Sequence, residues 1–252
     1  MLNVENLSIE FGGLKAVSEL NLHIKNNEVV GLIGPNGAGK TTVFNMLTGV
    51  YSPTDGSICY LGENIEGLEP YNITKKKISR TFQNIRLFSN LTVLDNVKIS
   101  FNYRIKYKLF DSILRTSKFR KEEDLIKEKS VELLKIFNLD DKQQALAKNL
   151  SYGEQRKLEI VRALAAKPSL LLLDEPAAGM NPQETMELMK MIKWIKNKFN
   201  LSVLLIEHDM KLVMGVCEKI VVLDYGKKIA EGTPKEIRNN PKVIEAYLGE
   251  GA

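Results

Sequence analysis

Apolar and polar positions alternate along LNVENLSIEF (residues 2–11) and SELNLHIK (18–25), which predicts two half-buried strands. The unbroken run in EVVGLI (28–33) predicts a short strand buried on both faces. SICYLGENI (57–65) follows the turn signal Ser52-Pro53-Thr54-Asp55-Gly56 and reads as one more strand, so the chain opens as antiparallel sheet. From Pro70 to Lys167 the periodicity is mostly helical. Beyond it, LLLLDE, SVLLIEH and KIVVLDYG supply three apolar strands, with a helix around Glu184–Lys198 between the first two. That alternation predicts a parallel α/β layer, and the fold class is α/β. The tail carries Thr233-Pro234-Lys235-Glu236, a capping box with proline at the first helical position. A second short helix restarts at Asn240-Pro241, bears Val243, Ile244, Tyr247 and Leu248, and stops at Gly249. Its apolar side either packs on the core or meets a partner.

LSYGEQRKLEIVRALAAKP, from Leu150, opens a helix in an unusual way. Ser151 and Glu154 form a Ser-x-x-Glu capping box, yet Gly153 sits inside the first turn, where glycine costs ~1 kcal/mol against alanine. A glycine there exposes bare amides at the positive end of the helix dipole, which suits an anion.

Composition narrows the class. The 252 residues are 44% hydrophobic and 7% aromatic, with no internal repeat or low-complexity tract, as in an ordinary globular chain. Cys59 and Cys217 form no C-x-x-C pair and read as buried thiols of a reducing compartment. No apolar run approaches the ~20 residues of a membrane span and no signal-peptide pattern opens the chain, so a soluble, unexported protein is expected. The net charge of +5 is local. Residues 101–121 hold seven basic side chains (Arg104, Lys106, Lys108, Arg115, Lys118, Arg120, Lys121) against Asp111 alone, and the rest of the chain is slightly acidic. This stretch is either a solvated helical face or a contact with an anionic membrane surface or a partner.

The clearest chemistry lies in Gly34-Pro35-Asn36-Gly37-Ala38-Gly39-Lys40-Thr41-Thr42, directly after EVVGLI and before a helical pattern. Strand, glycine-rich turn and helix N-terminus together make a phosphate-binding loop. Lys40 would neutralise β- and γ-phosphates, the Thr41 hydroxyl would ligate Mg²⁺, and Thr42 would contact phosphate. LLLLDEP places Asp174 and Glu175 at the carboxyl end of a buried strand, where open α/β sheets bind ligands. Asp174 can join the Mg²⁺ shell. Glu175, facing the other way on an extended chain, can polarise a water in line with the γ-phosphate.

These residues resemble those of ATP-binding cassette (ABC) ATPases, and the resemblance covers nearly the whole chain. Phe11 lies 23 residues before Gly34, as does the family's adenine-stacking aromatic. Gln83 in SRTFQN resembles the Q-loop, Leu150–Gln155 the signature, and His208 after SVLLIE the switch histidine. Taken singly, Phe11 also fits a core position, Gln83 a loop amide and His208 a strand-end cap, whereas His23 reads as a strand residue.

The resemblance implies a P-loop NTPase of the ABC ATPase fold, with an antiparallel β subdomain, a RecA-like parallel core and a helical subdomain. Residues 1–83 and 166–232 would form the core with its β subdomain, 84–165 the helical signature subdomain and 233–252 a helical tail. Phe11, Val17, Asn36, Gly37, Ala38, Gly39, Lys40, Thr41 and Thr42 would bind ATP. Glu175, His208, Gln83 and Lys40 would serve catalysis, and Thr41, Gln83 and Asp174 would hold Mg²⁺. Ser151, Tyr152, Gly153 and Glu154 would face ATP on a second ATPase subunit, a copy or a paralogue, which answers which anion the Leu150 helix awaits.

Two places depart from the commonest family pattern: Tyr152 and Glu154 replace a glycine and a glutamine, and the D-loop AAGMNP carries Asn181 in place of aspartate. RTFQNIRLFSNLTVLDNV, the basic insertion, AAGMNPQET and the tail GTPKEIRNNPKVIEAYLGE look like the larger ATPase subunit of branched-chain amino acid importers. Urea-type importers and lipopolysaccharide exporters are near relatives. The implied partners are transmembrane permease subunits, the second ATPase subunit and, indirectly, an extracytoplasmic substrate-binding protein, with the chain peripheral on the cytoplasmic side of the cell (inner) membrane. No nucleic-acid partner is expected, because only 110 residues separate Lys40 from Ser151, too few for a long coiled coil.

Overall fold

The computed structural model describes residues 1–101 and 109–248; Arg104, Lys106 and Lys108 of the basic stretch and the helix-stopping Gly249 lie outside the described residues. The chain forms two compact units, residues 1–83 with 169–252, and residues 84–168.

The first unit begins with β1 (Leu2–Phe11) and β2 (Leu14–Ile24), antiparallel with Leu2 opposite Ile24 and Phe11 opposite Leu14. The apolar phase of β1 slips by one residue, from Leu2 and Val4 to Leu7 and Ile9. The slip is absorbed by a register shift with Asn6 at φ 49°, so all four side chains stay on the buried face. Next come β3 (Val29–Ile33), buried throughout, and α1 (Lys40–Leu47). The segment read as one strand at 57–65 is instead a hairpin of β4 (Asp55–Tyr60) and β5 (Glu63–Asn64). Leu61 (φ 52°) and Gly62 (φ 84°) make its two-residue turn, whose positive dihedrals match strand twist. The antiparallel sheet runs β2-β1-β4-β5. A short helix α2 (Pro70–Lys75) leads to β6 (Ile78–Arg80), a strand inside a region that is otherwise mostly helical among the described residues. Three residues are too few to show a period. β6 is set by pairing, with Ile78 opposite Leu170 and Arg80 opposite Leu172.

The second unit holds α3 (Val93–Ile99), α4 (Leu109–Ile113), α5 (Ser117–Ile136) and α6 (Tyr152–Ala165). α5 buries Ile126, Ser130 and Leu134, one side chain per turn, and packs with α6 and α3. The buried Asn96 of α3 accepts from the Phe88 amide at 2.9 Å and donates to the Phe88 carbonyl at 3.0 Å, pinning the loop before the helix.

The chain then returns to the first unit with β7 (Leu170–Asp174), α7 (Pro182–Phe199), β8 (Ser202–Ile206), α8 (Met210–Val216), β9 (Lys219–Asp224) and β10 (Lys227–Gly232). The second sheet has the order β10-β9-β3-β8-β7-β6, parallel except for the edge strand β10. β7 and β8 are buried along their whole length, as expected of strands covered on both faces. α9 (Pro234–Arg238) carries the Thr233 capping box and α10 (Pro241–Leu248) follows. Ile237 and Val243 are buried against this unit while Ile244 is exposed, so the tail packs on the core with one face left outward. Cys59 and Cys217 are free thiols, and burial pushes Cys217 up to about 12. Among the described residues no helix is long and apolar enough to cross a membrane.

Candidate nucleotide site

β3 delivers the chain into the glycine-rich turn 34–39, and Gly39 ends it as the residue before α1, at φ 98°. A Cβ on Gly39 would stand 2.7 Å from the Ala16 carbonyl oxygen, and one on Gly34 would stand 2.0 Å from that of Leu223. Both positions therefore need glycine for space as well as dihedral. The loop is also tied from outside, since the Gly226 amide donates to Ala38 and the Ser18 amide to Gly226. Asn36, Gly37 and Thr41 are exposed, whereas Ala38 and Lys40 are buried. The Lys40 ammonium curls over the turn and donates to the carbonyls of Gly34 (2.7 Å) and Pro35 (2.6 Å). Val17, expected among the ligand contacts, is fully buried. Its methyl group supports Gly39 from beneath, and its side chain offers no surface to a ligand.

At the end of β7, Asp174 is buried and its Oδ2 lies 2.7 Å from Arg80 Nη2. The other arm of Arg80 donates to Asn45 Oδ1 at 2.7 Å and Thr48 Oγ1 at 3.3 Å, and its guanidinium lies over the rings of Phe44 and Phe82. Arg80 thus fastens the first helix after the phosphate loop to the acidic strand end. The sequence reading missed it, because nothing in the local pattern of SRT marks a partner 94 positions away.

The extended geometry expected for Glu175 is not what forms. Glu175 is left-handed at φ 46°, held there as its amide donates to the Ile206 carbonyl. The turn aims its carboxylate at two residues from other loops: Gln83 Nε2 donates to Oε2 at 2.6 Å, and His208 Nε2 lies 2.7 Å from Oε1. Gln83, Glu175 and His208 therefore meet in space from three chain segments. Asp209 caps α8, its Oδ1 accepting from the amides of Lys211 and Leu212, while the His208 ring is turned to Glu175. Beneath lies Glu207, also unforeseen, a buried carboxylate accepting from the amides of Ala177 (2.7 Å), His208 (2.8 Å) and Asp209 (3.2 Å).

Phe11 is 45% exposed and meets Tyr51 edge-to-face with centroids 5.2 Å apart, which removes the core reading and adds a second aromatic that the sequence did not single out.

In the second unit the Ser151 box forms in full. The Ser151 hydroxyl accepts from the Glu154 amide at 3.4 Å, and Glu154 Oε2 accepts from the Ser151 amide at 3.0 Å. The Lys142 ammonium, followed by the Ser151 donors, holds the Glu154 carboxyl below the usual carboxylate range. Tyr152 is exposed, with its hydroxyl accepting from the buried Arg156 at 3.1 Å, and Gly153 stands half-exposed between them. Asn181 caps α7, accepting from the amides of Gln183 and Glu184 while Glu184 accepts from the Asn181 amide.

A phosphate loop, an acidic strand end and a glutamine–glutamate–histidine cluster on a mixed sheet define a nucleotide-hydrolysing cassette. The chain belongs to the ABC transporter family, matching it over residues 17–178, and its residues 227–252 match the family described as branched-chain amino acid ATP-binding cassette transporter. It is 47% identical over 250 residues to the high-affinity branched-chain amino acid transport ATP-binding protein LivG of Escherichia coli (strain K12), covering 99% of this chain and 98% of that one. The corresponding protein BraF of Pseudomonas aeruginosa is 46% identical with the same coverage. Among solved structures, the ADP conformation of MJ1267, an ATP-binding cassette of an ABC transporter, superposes with a TM-score of 0.86 at 30% identity, covering 99% of this chain and 98% of that one.

Proposed function

We propose that this chain is the ATP-hydrolysing subunit that energises import of branched-chain amino acids. It would work as one of two ATPase subunits on transmembrane permeases at the cytoplasmic side of the cell (inner) membrane, stimulated indirectly by an extracytoplasmic binding protein. The observation that carries the hydrolytic part is the Glu175 carboxylate held between Gln83 and His208. The substrate class is supported by the 227–252 match and by the names of the two relatives.

ATP enters with its phosphates over the amides of 36–39 and the start of α1, where the helix dipole and Lys40 favour negative charge. Lys40 then exchanges the carbonyls of Gly34 and Pro35 for phosphate oxygens, Thr42 adds a hydroxyl, and Phe11 with Tyr51 offers the ring surface for adenine. The donors around the phosphates fit Mg²⁺. They are hard oxygens on Thr41, Asp174 and the Gln83 amide, and among the described residues no cluster of three or more His, Cys, Asp and Glu side chains would hold a metal without the nucleotide. When bound with ATP, Mg²⁺ supplies charge neutralisation on the phosphates. Glu175 accepts the proton of the attacking water once one of its two side-chain partners lets go, and His208 steadies the group that develops charge. Ser151 and the Gly153 amide, with Tyr152 and Glu154 beside them, complete the site of the other ATPase subunit.

Glu175→Gln is expected to keep ATP affinity, lose most turnover and accumulate an ATP-dependent dimer on gel filtration. Near-parental hydrolysis removes Glu175 from the base role. For the substrate, the reconstituted complex is expected to hydrolyse ATP faster when a binding protein loaded with leucine, isoleucine or valine is supplied on the opposite face. Stimulation by urea or a lipid in their place overturns the import assignment and leaves the ATPase reading standing.

A further inference from the structure

α4 and the residues after it expose three large apolar side chains together: Phe110 (73% exposed), Ile113 (70%) and Leu114 (61%). The chain turns at Arg115, and Thr116 then caps α5 by accepting from the Phe119 amide. The first half of α5 borders an apolar groove of about 520 Å³ whose apolar lining is Phe101, Leu125 and Ile126. Its rim is Lys118, Lys121, Lys129 and Lys167, with Glu122 the one carboxylate in the lining. With Arg115 and Arg120 this makes six cations, and none of them forms an ion pair among the described residues. Elsewhere lysines do find carboxylates: Lys98 with Glu123, Lys142 with Glu154, Lys196 with Glu218.

We infer that this face, α4 with the N-terminal half of α5, is a membrane-contact patch that binds anionic phospholipid directly, without the permease. Exposed apolar side chains on and just after α4, followed along the chain by long cations without an ion pair, have the composition of a segment lying in the bilayer interface, the rings and aliphatic chains entering between headgroups and the cations meeting phosphate. A protein partner would call for a different surface, because the centres of protein interfaces are depleted of lysine. The apolar groove gives an acyl chain or glycerol backbone a place under a headgroup held by the rim. The inference does not depend on which solute is transported.

Flotation of the purified full chain with vesicles tests it, comparing phosphatidylcholine alone with phosphatidylcholine containing phosphatidylglycerol. Binding is expected only to the anionic vesicles and is expected to weaken as salt rises. Each cation near an anionic surface contributes about five-fold, equivalent to ~1 kcal/mol, so Lys118→Gln with Lys121→Gln should lower the partition coefficient roughly 25-fold. Phe110→Ser with Ile113→Ser and Leu114→Ser should abolish binding at a salt concentration where the parent still floats. Lys193→Gln, an exposed cation on α7 of the other unit, should change nothing, and unchanged basal ATP hydrolysis in all three certifies folding. Absence of flotation with anionic vesicles, or patch variants that float like the parent, overturns the inference. So does a patch variant that loses only its association with the permease subunits, since the surface then serves a protein.

Discussion

Replacing Arg80 by leucine tests whether the acidic strand end is held by one buried cation. Asp174 has a side chain 5% exposed and Arg80 one 8% exposed, at 2.7 Å, so the substitution leaves an uncompensated carboxylate away from water and removes the donor from Asn45 and Thr48. Breaking a buried pair by removing one partner costs ~3–5 kcal/mol. For a chain of this length each kcal/mol lowers Tm by ~2–4 °C, so a drop of roughly 6–20 °C is expected. Asp174→Asn alone strands the guanidinium and should cost a comparable amount. The double variant removes both charges, and its loss should fall short of the summed single losses by ~2 kcal/mol or more. Urea unfolding of the four proteins measures the cycle. A single-variant loss below ~1 kcal/mol, or a coupling below ~0.5 kcal/mol, would refute the claim that Arg80 fastens Asp174, because exposed pairs give values that small.

Three further outcomes follow from the geometry. Glu207→Gln turns one accepting oxygen into a donor facing amide N–H groups, so at least one of its three charge-assisted bonds is lost at ~1.5–3 kcal/mol; kcat should fall with ATP affinity kept, and an unchanged kcat measured by phosphate release would show that the Ala177 and His208 loops need no clamp. Gly39→Ala places a methyl 2.7 Å from the Ala16 carbonyl at φ 98°, so ATP binding by fluorescence titration should disappear while the circular dichroism spectrum persists; retained affinity would contradict the close approach. Glu154→Gln keeps a cap acceptor but loses the Lys142 pair, whose contribution solvent screening keeps small. Because the folded carboxyl sits below its ordinary value, its contribution is present above the unfolded pKa and is lost as pH falls through the folded one. The stability gap between parent and variant should therefore exist at pH 7 and close on acidification below the ordinary carboxylate range, and a gap independent of pH would exclude the pair as its source.

What could be read from the chain was what local physics dictates. Glycines at 34 and 39 are required by space and dihedral within a few residues, the Ser151 and Glu154 box closes over three positions, and β3, β7 and β8 announce themselves by unbroken apolar runs. What could not be read depends on partners far along the sequence. β6 is a strand only because β7 lies beside it, and Arg80 and Glu207 look like ordinary surface charges until Asp174 and the Ala177 amide arrive from 94 and 30 positions away. Glu175 illustrates the limit most clearly. Its identity at a strand end suggested a carboxylate poised for chemistry, but its direction is set by a left-handed dihedral that the hydrogen bond from its amide to the Ile206 carbonyl on the neighbouring strand enforces. A non-glycine residue held in that region stores of order 1 kcal/mol or more of strain, sustained by the surrounding structure. Here β8 supplies that hold, and the chain leaves the same strand directly into Glu207 and His208. The backbone that strains Glu175 thus also carries the histidine it meets, so the direction of the carboxylate and the position of its partner are set by a single strand pairing.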